Sequence, residues 1–115
     1  MIGTHRESFN QRTLFRPVIE NEMIRGTIIY VDSYYNVITN ISKKMFTEAA
    51  KGREYSVNIG RNRIEKVSEI YDSVPEGDIL AIFNSAGYLE LAMNKGKLAR
   101  MLNLQFGDVI NIQFK

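Results

Sequence analysis

The sequence predicts a mostly β fold, a small antiparallel β-barrel of about six or seven strands with two short helices. Three observations predict it. The apolar runs are short and rich in β-branched and aromatic residues, as strands are. Turn-forming residues recur between them, which favours many short strands closing on themselves. Only two brief stretches carry a helical pattern, and neither is long enough to organise a helical domain.

Residues Met1 to Arg16 have no apolar period and read as a linker or disordered lead-in, residues 1–16, before a body spanning 17–115. Pro17 fixes an extended start to that body. Gly26 opens the β-rich part, and Thr27 to Val31 reads as a strand. Asp32 and Ser33 interrupt it, and Asn36 to Ile41 resumes the extended pattern. Ser42 is a candidate N-cap for a helix over Lys43 to Lys51, stopped by Gly52. Met45, Phe46 and Ala49 give that helix its apolar side. Tyr55 to Ile59 and Ile64 to Val67 flank Gly60-Arg61-Asn62-Arg63, a hairpin signal. Pro75-Glu76-Gly77-Asp78 is a turn by composition. Ile79 to Phe83 is a continuous apolar run that suits a buried strand. Gly87 bends the chain into Tyr88 to Met93. A second helix is predicted over Lys97 to Leu102. Val109 to Phe114 alternates apolar and polar residues and makes a last strand.

A chain of 115 residues bounds the answer to one domain. Charged residues make up 24% and nearly cancel to a net +2, an ordinary soluble balance and a weak electrostatic footprint for nucleic acid. With no cysteine there are no disulfides and no thiolate metal sites. No apolar run approaches the ~20 residues that span a bilayer. The expectation is a soluble, cytoplasmic protein. His5, the one histidine, sits in the lead-in and reads as a solvated side chain. No Ser/His/Asp or Cys/His set, phosphate loop or metal-ligand spacing is present, so the expected lists of catalytic residues, metal ligands and cofactors are empty.

Two segments stand out, Tyr30 to Asn40 and Asn84 to Asn94. Each sets uncharged hydrogen-bonding groups and aromatic rings at a bend between apolar runs, a composition suited to a flat, neutral, polar ligand such as a nucleobase. Asn36 offers a donor and an acceptor in one plane, matching an adenine edge, and is also a common turn residue. Asp32 at a strand end has two readings, a ligand contact or a bond to nearby amides that sets the turn. Tyr34 and Tyr35 are adjacent, so in an extended chain their rings take opposite faces. Glu90 shares a face with Tyr88 and Ala92. It reads as a ligand contact or, more commonly for such a residue, as a solvated side chain. Met93 on the opposite face is most simply core. By residues alone the chain reads as a small β-barrel binding module.

The blocks Asp32, Tyr34-Tyr35-Asn36, Thr39-Asn40, Tyr71, Val74-Pro75-Glu76-Gly77, Asn84-Ser85-Ala86-Gly87-Tyr88-Leu89-Glu90-Leu91-Ala92 and Leu102 to Gly107-Asp108 occur in an order that resembles the C-terminal domain of the S-adenosyl-L-methionine (SAM) hydrolase family. That family, the SAM hydroxide adenosyltransferases, includes the fluorinase and chlorinase. The resemblance covers roughly Pro17 to Phe114. It implies a barrel that binds SAM, the substrate, or adenosine, against the N-terminal domain of a neighbouring subunit in a homotrimer. That N-terminal domain, absent from this chain, supplies the groups that orient water. The products are adenosine and methionine. Mapped by motif, Asn36 bonds the adenine edge, Tyr34 or Tyr71 stacks on it, and the backbone at Met93 and Asn94 completes its recognition. Ser85 and Glu90 contact the methionine end, and Asp32 meets the methionine amino group or only sets the turn. The chain departs from the family where its turn glycine is Tyr35 and its preceding phenylalanine is Tyr34. Ala86 replaces the arginine of the halogenating members and fits the hydrolase branch. The competing readings are a module for single-stranded nucleic acid using Tyr30, Tyr34, Tyr35 and Tyr88, and an assembly module whose ligand site has decayed.

Overall fold

A computed structural model describes residues 16–20, 22–68 and 74–115. The predicted lead-in, apart from Arg16, and with it His5, lies outside these residues, as does Tyr71. The elements are β1 (Val18–Glu20), β2 (Met23–Val31), β3 (Val37–Ser42), α1 (Lys43–Ala50), β4 (Tyr55–Ile59), β5 (Asn62–Ile64), β6 (Val67–Ser68), β7 (Ile79–Phe83), β8 (Tyr88–Met93), α2 (Leu98–Met101) and β9 (Val109–Phe114). The strands run in the order β5-β4-β9-β2-β3-β8-β7-β6, with β1 beside β2, and the edge strand β5 approaches β7, so the sheet curls into a nearly closed barrel. The mostly β barrel is as predicted, with nine strands among the described residues because β1 and β6 are only three and two residues long. One pairing departs from the antiparallel expectation, since β6 runs parallel to β7. The predicted strand Ile64 to Val67 is instead split. Gly60 and Arg61 alone make the turn, with Gly60 at φ +57°, which draws Asn62 and Arg63 into β5.

Side-chain alternation decides what fills the barrel. On β3 and β9 every second residue points inward, giving Val37, Thr39 and Ile41, then Ile110, Ile112 and Phe114. Ser42 caps α1 by accepting from the Met45 amide at 3.1 Å, and Phe46 on that helix meets the Tyr55 ring edge-on at 4.9 Å between centroids.

β2 is long enough to serve both halves of the barrel. Met23 to Thr27 pair with β9, and Ile28 to Val31 pair with β3 across a bulge between Ile28 and Tyr30. The bend brings β2 so close to β3 that a Cβ on Gly26 would lie 2.5 Å from Asn40 Oδ1 and 2.7 Å from Ile41 Cγ1. Asn40 Oδ1 accepts from the Thr27 amide at 2.9 Å just there. Thr39 does similar work where β3 shifts register against β8: its hydroxyl donates to the Leu89 carbonyl at 2.9 Å and accepts from the Ile41 amide at 3.2 Å. The Thr39-Asn40 pair thus replaces ladder bonds that two irregularities remove.

β7 is a buried strand, as its continuous apolar run predicted, and β8 beside it is covered on both faces as well. Ala81, Leu89 and Leu91 face the main core, while Leu80, Ile82 and Ala92 form a second cluster on the outer side with Val74 against it. Glu90 lies in this outer layer, opposite Ile38 of β3 and Ile82 of β7.

Candidate ligand cleft at the end of β8

The β2–β3 loop is built around Asp32. Its Oδ1 accepts from the Tyr34 and Asn36 amides at 2.9 and 3.0 Å. Its own carbonyl accepts from Tyr35 N at 2.9 Å, and its amide donates to the Asn36 carbonyl at 3.0 Å. Of the two readings of Asp32, turn-setting is therefore visible in the geometry. Tyr35 takes the left-handed conformation at φ +65°, the region that glycine adopts most readily. The expectation that Tyr34 and Tyr35 point to opposite faces rested on extended chain, and they lie in a turn instead.

This loop forms one wall of an open cleft of about 450 Å³, lined by Ser33 to Asn36 and by Ala92 to Lys97. The Tyr34 ring is 75% exposed and free to cover a flat ligand. The Tyr35 ring is partly screened by Lys97, whose Nζ sits 5.6 Å from the ring centroid. Asn36 is half-buried at the cleft wall, and its Nδ2 donates to Glu90 Oε2 at 3.4 Å.

Among the predicted residues, Tyr34, Asn36, Met93 and Asn94 meet in this cleft, and Asp32 shapes its wall. Asn94 is heavily engaged within the chain. Its Nδ2 donates to the Val74 carbonyl at 2.7 Å, its amide donates to Asp78 and its carbonyl accepts from Gly77. Lys95 is a residue that sequence reasoning missed. It is left-handed at φ +56°, its ammonium reaches toward Glu76 at 3.6 Å, and its peptide N–H and C=O make no hydrogen bond with another described residue. The turn Asn94-Lys95-Gly96 was the available signal, but main-chain groups leave no side-chain signature. A Cβ at Gly96 would fall 2.4 Å from the Met93 sulfur, so any larger residue there would displace the Met93 side chain at the cleft.

Ser85 lies elsewhere. It is exposed in the β7–β8 loop, beside the start of α1, where Lys43 N donates to the Gly87 carbonyl at 2.8 Å. The six residues of β8 separate it from the cleft by roughly 20 Å. Glu90 is midway between these ends and only 6% exposed, which excludes the solvated reading. A second amide, Asn84 Nδ2, donates to its Oε1 at 3.3 Å. A larger hollow of about 1020 Å³ lies beside β5 and β6, and of the predicted residues that are described it shares only Met93. Among the described residues no helix is long and apolar enough to cross a membrane.

The fold is a small, nearly closed β-barrel domain with an open cleft at the end of β8. Residues 26–111 match the SAM hydroxide adenosyltransferase C-terminal domain, and the chain belongs to that family. It is similar to a solved structure of an uncharacterized conserved protein from Thermotoga maritima, with 34% identity and a TM-score of 0.71 over 84% of this chain and 38% of that one. It is also similar to a conserved hypothetical protein from Thermus thermophilus, with 26% identity and a TM-score of 0.58 over 79% of this chain and 34% of that one. The chain thus spans little more than a third of the length of either relative.

Proposed function

We propose that this domain binds the adenosine part of SAM and forms half of the site at which a longer protein converts SAM and water to adenosine and methionine. The observation that carries this reading is the cleft itself. Asn36 and Lys95, whose peptide groups bond no other described residue, line one hollow with the open Tyr34 ring. A purine needs in-plane donors and acceptors at its edge and a π-face or apolar cover above it.

In the reaction, a water oxygen bonds to the ribose carbon next to sulfur. The C–S bond breaks and its electron pair stays on sulfur, turning the sulfonium into neutral methionine, while the water proton passes to a base. The groups that orient water come from the N-terminal domain of a neighbouring subunit, in a trimer of the complete protein. This domain contributes binding and orientation, which lower the entropic part of the barrier.

The experiment is calorimetric titration of the 115-residue chain with adenosine and with SAM, followed by chromatography of the SAM mixture. Weak adenosine binding, with Kd above ~1 µM because half of the wall is missing, and no adenosine released are expected. Lack of any adenosine binding at millimolar ligand overturns the site. Release of adenosine above a protein-free control overturns the division of labour.

A further inference from the structure

We infer that Glu90 is a positioning residue that fixes which way the Asn36 amide faces, and thereby makes the cleft select a ligand edge that donates a hydrogen bond. This rests on the adenosine reading above. Glu90 is the one charged side chain in the buried set of described residues. It stands on the outer face of β8 between Ile38 and Ile82, where an ionised carboxylate is costly unless donors surround it. Two of its donors come from opposite directions. Asn36 Nδ2 reaches Oε2 from the cleft wall, and Asn84 Nδ2 reaches Oε1 from the β7–β8 loop.

A carboxylate accepts hydrogen bonds and donates none. It therefore breaks the near-symmetry of an asparagine amide. With Nδ2 turned to Glu90, the Asn36 oxygen is the atom left to the cleft. The opposite flip would set oxygen against carboxylate within about 3.4 Å. Asn84 is fixed in the same sense from its other end, because its Oδ1 already accepts from the Ala86 and Tyr88 amides at 3.0 Å. An Asn36 oxygen facing the ligand accepts from an exocyclic amino group such as that of adenosine. It repels the carbonyl that inosine carries at the same place. A site built to bond one group rejects the analogue lacking it, because a buried polar atom is left unpaired. At 3.3–3.4 Å the two bonds are long, which suits a holding contact that tightens when ligand excludes water.

Glu90→Gln tests this, because a glutamine amide accepts with one end only and lets Asn36 take either flip. The probes are adenosine and inosine, titrated separately into the wild-type chain and the variant. The wild type is expected to prefer adenosine by at least about tenfold, and Glu90→Gln to shrink that preference by about tenfold. A second readout needs no ligand. In ¹H–¹⁵N spectra the side-chain NH₂ pair of Asn36 should show contacts to the Glu90 methylenes in the wild type, and should shift and lose them in Glu90→Gln. If Glu90→Gln does not fold, Glu90→Asp keeps the charge, draws it back by one methylene, and should lower the preference by a smaller factor. An unchanged preference with unmoved Asn36 signals overturns the inference. If the wild type binds neither nucleoside, the adenosine reading fails, and the NH₂ contacts alone decide whether Glu90 holds Asn36.

Discussion

Tyr35 and Gly87 occupy the same position in two loops with the same hydrogen bonds. In each, an acidic or amide side chain accepts from the amides two and four residues on: Asp32 from Tyr34 and Asn36, Asn84 from Ala86 and Tyr88. In each, that residue's carbonyl accepts from the residue three on, Tyr35 or Gly87, and its amide donates to the carbonyl four on. Both third-following residues are left-handed, at φ +65° and +88°. The chain therefore builds one turn twice and places a tyrosine at the glycine position of the copy that walls the cleft.

Gly87→Ala is expected to destabilise the fold by about 1–2 kcal/mol, the cost of a left-handed β-carbon, because nothing lies within 4 Å of that carbon to add a clash. Tyr35→Gly should stay within about 1 kcal/mol of wild type. It relieves that same strain, but it loosens the unfolded chain and removes the ring beside Lys97. Urea unfolding of both variants checks this. A Tyr35→Gly loss larger than that of Gly87→Ala would show that the ring, not the turn, holds the loop.

Gly26→Ala should cost about 1–3 kcal/mol for a different reason. Its φ is not in the left-handed region, and the obstacle is space. The new methyl meets Asn40 Oδ1 and Ile41 Cγ1 at 2.5 and 2.7 Å, atoms held by a main-chain hydrogen bond and by the core. The same unfolding measurement applies, and a cost below about 0.5 kcal/mol would mean that β2 slides away from β3 freely.

The fold was legible where burial follows a simple period. β4, β7, β8 and β9 have the bounds that alternation and apolar runs predicted. It was less legible at β5, because a two-residue turn at Gly60-Arg61 and a four-residue turn share one composition. Within the site, Asp32 and Asn36 were legible as turn and ligand candidates, because their chemistry is local. Glu90 was not, because its environment is decided by Asn36, 54 positions away in sequence, and by Asn84 across the strand pair. Thr39-Asn40 stood out as a motif, yet its work is to mend the sheet, which only the register shifts reveal.

Thr39→Val keeps shape and removes one hydroxyl. That hydroxyl is buried and serves both the Leu89 carbonyl and the Ile41 amide, so both main-chain groups lose their partner. The expected loss is about 1–3 kcal/mol. Adenosine binding to the folded variant should be unchanged, because the side chain points into the barrel, away from the cleft. Reduced affinity at full folding would assign Thr39 to the site.

Asn36 separates ligand chemistry from packing most sharply. Asn36→Ala removes the in-plane amide and one donor to Glu90. Adenosine affinity should fall by about 1–3 kcal/mol, with a stability loss of about 0.5–1.5 kcal/mol from the missing hydrogen bond. Asn36→Asp is nearly isosteric, but it sets a second carboxylate about 3.4 Å from Glu90 Oε2. Its stability loss at neutral pH should exceed that of Asn36→Ala, since repulsion replaces a hydrogen bond in a half-buried setting. It still presents an oxygen to the cleft, so in the fraction that folds, adenosine should bind better than to Asn36→Ala. Thermal unfolding and calorimetry on the same samples give both orders. Should Asn36→Asp prove as stable as wild type, the carboxylates are not facing each other and the Asn36–Glu90 bond is not a feature of the folded domain. Should Asn36→Ala keep full adenosine affinity, Asn36 serves the turn alone and the purine edge is read by other groups of the cleft.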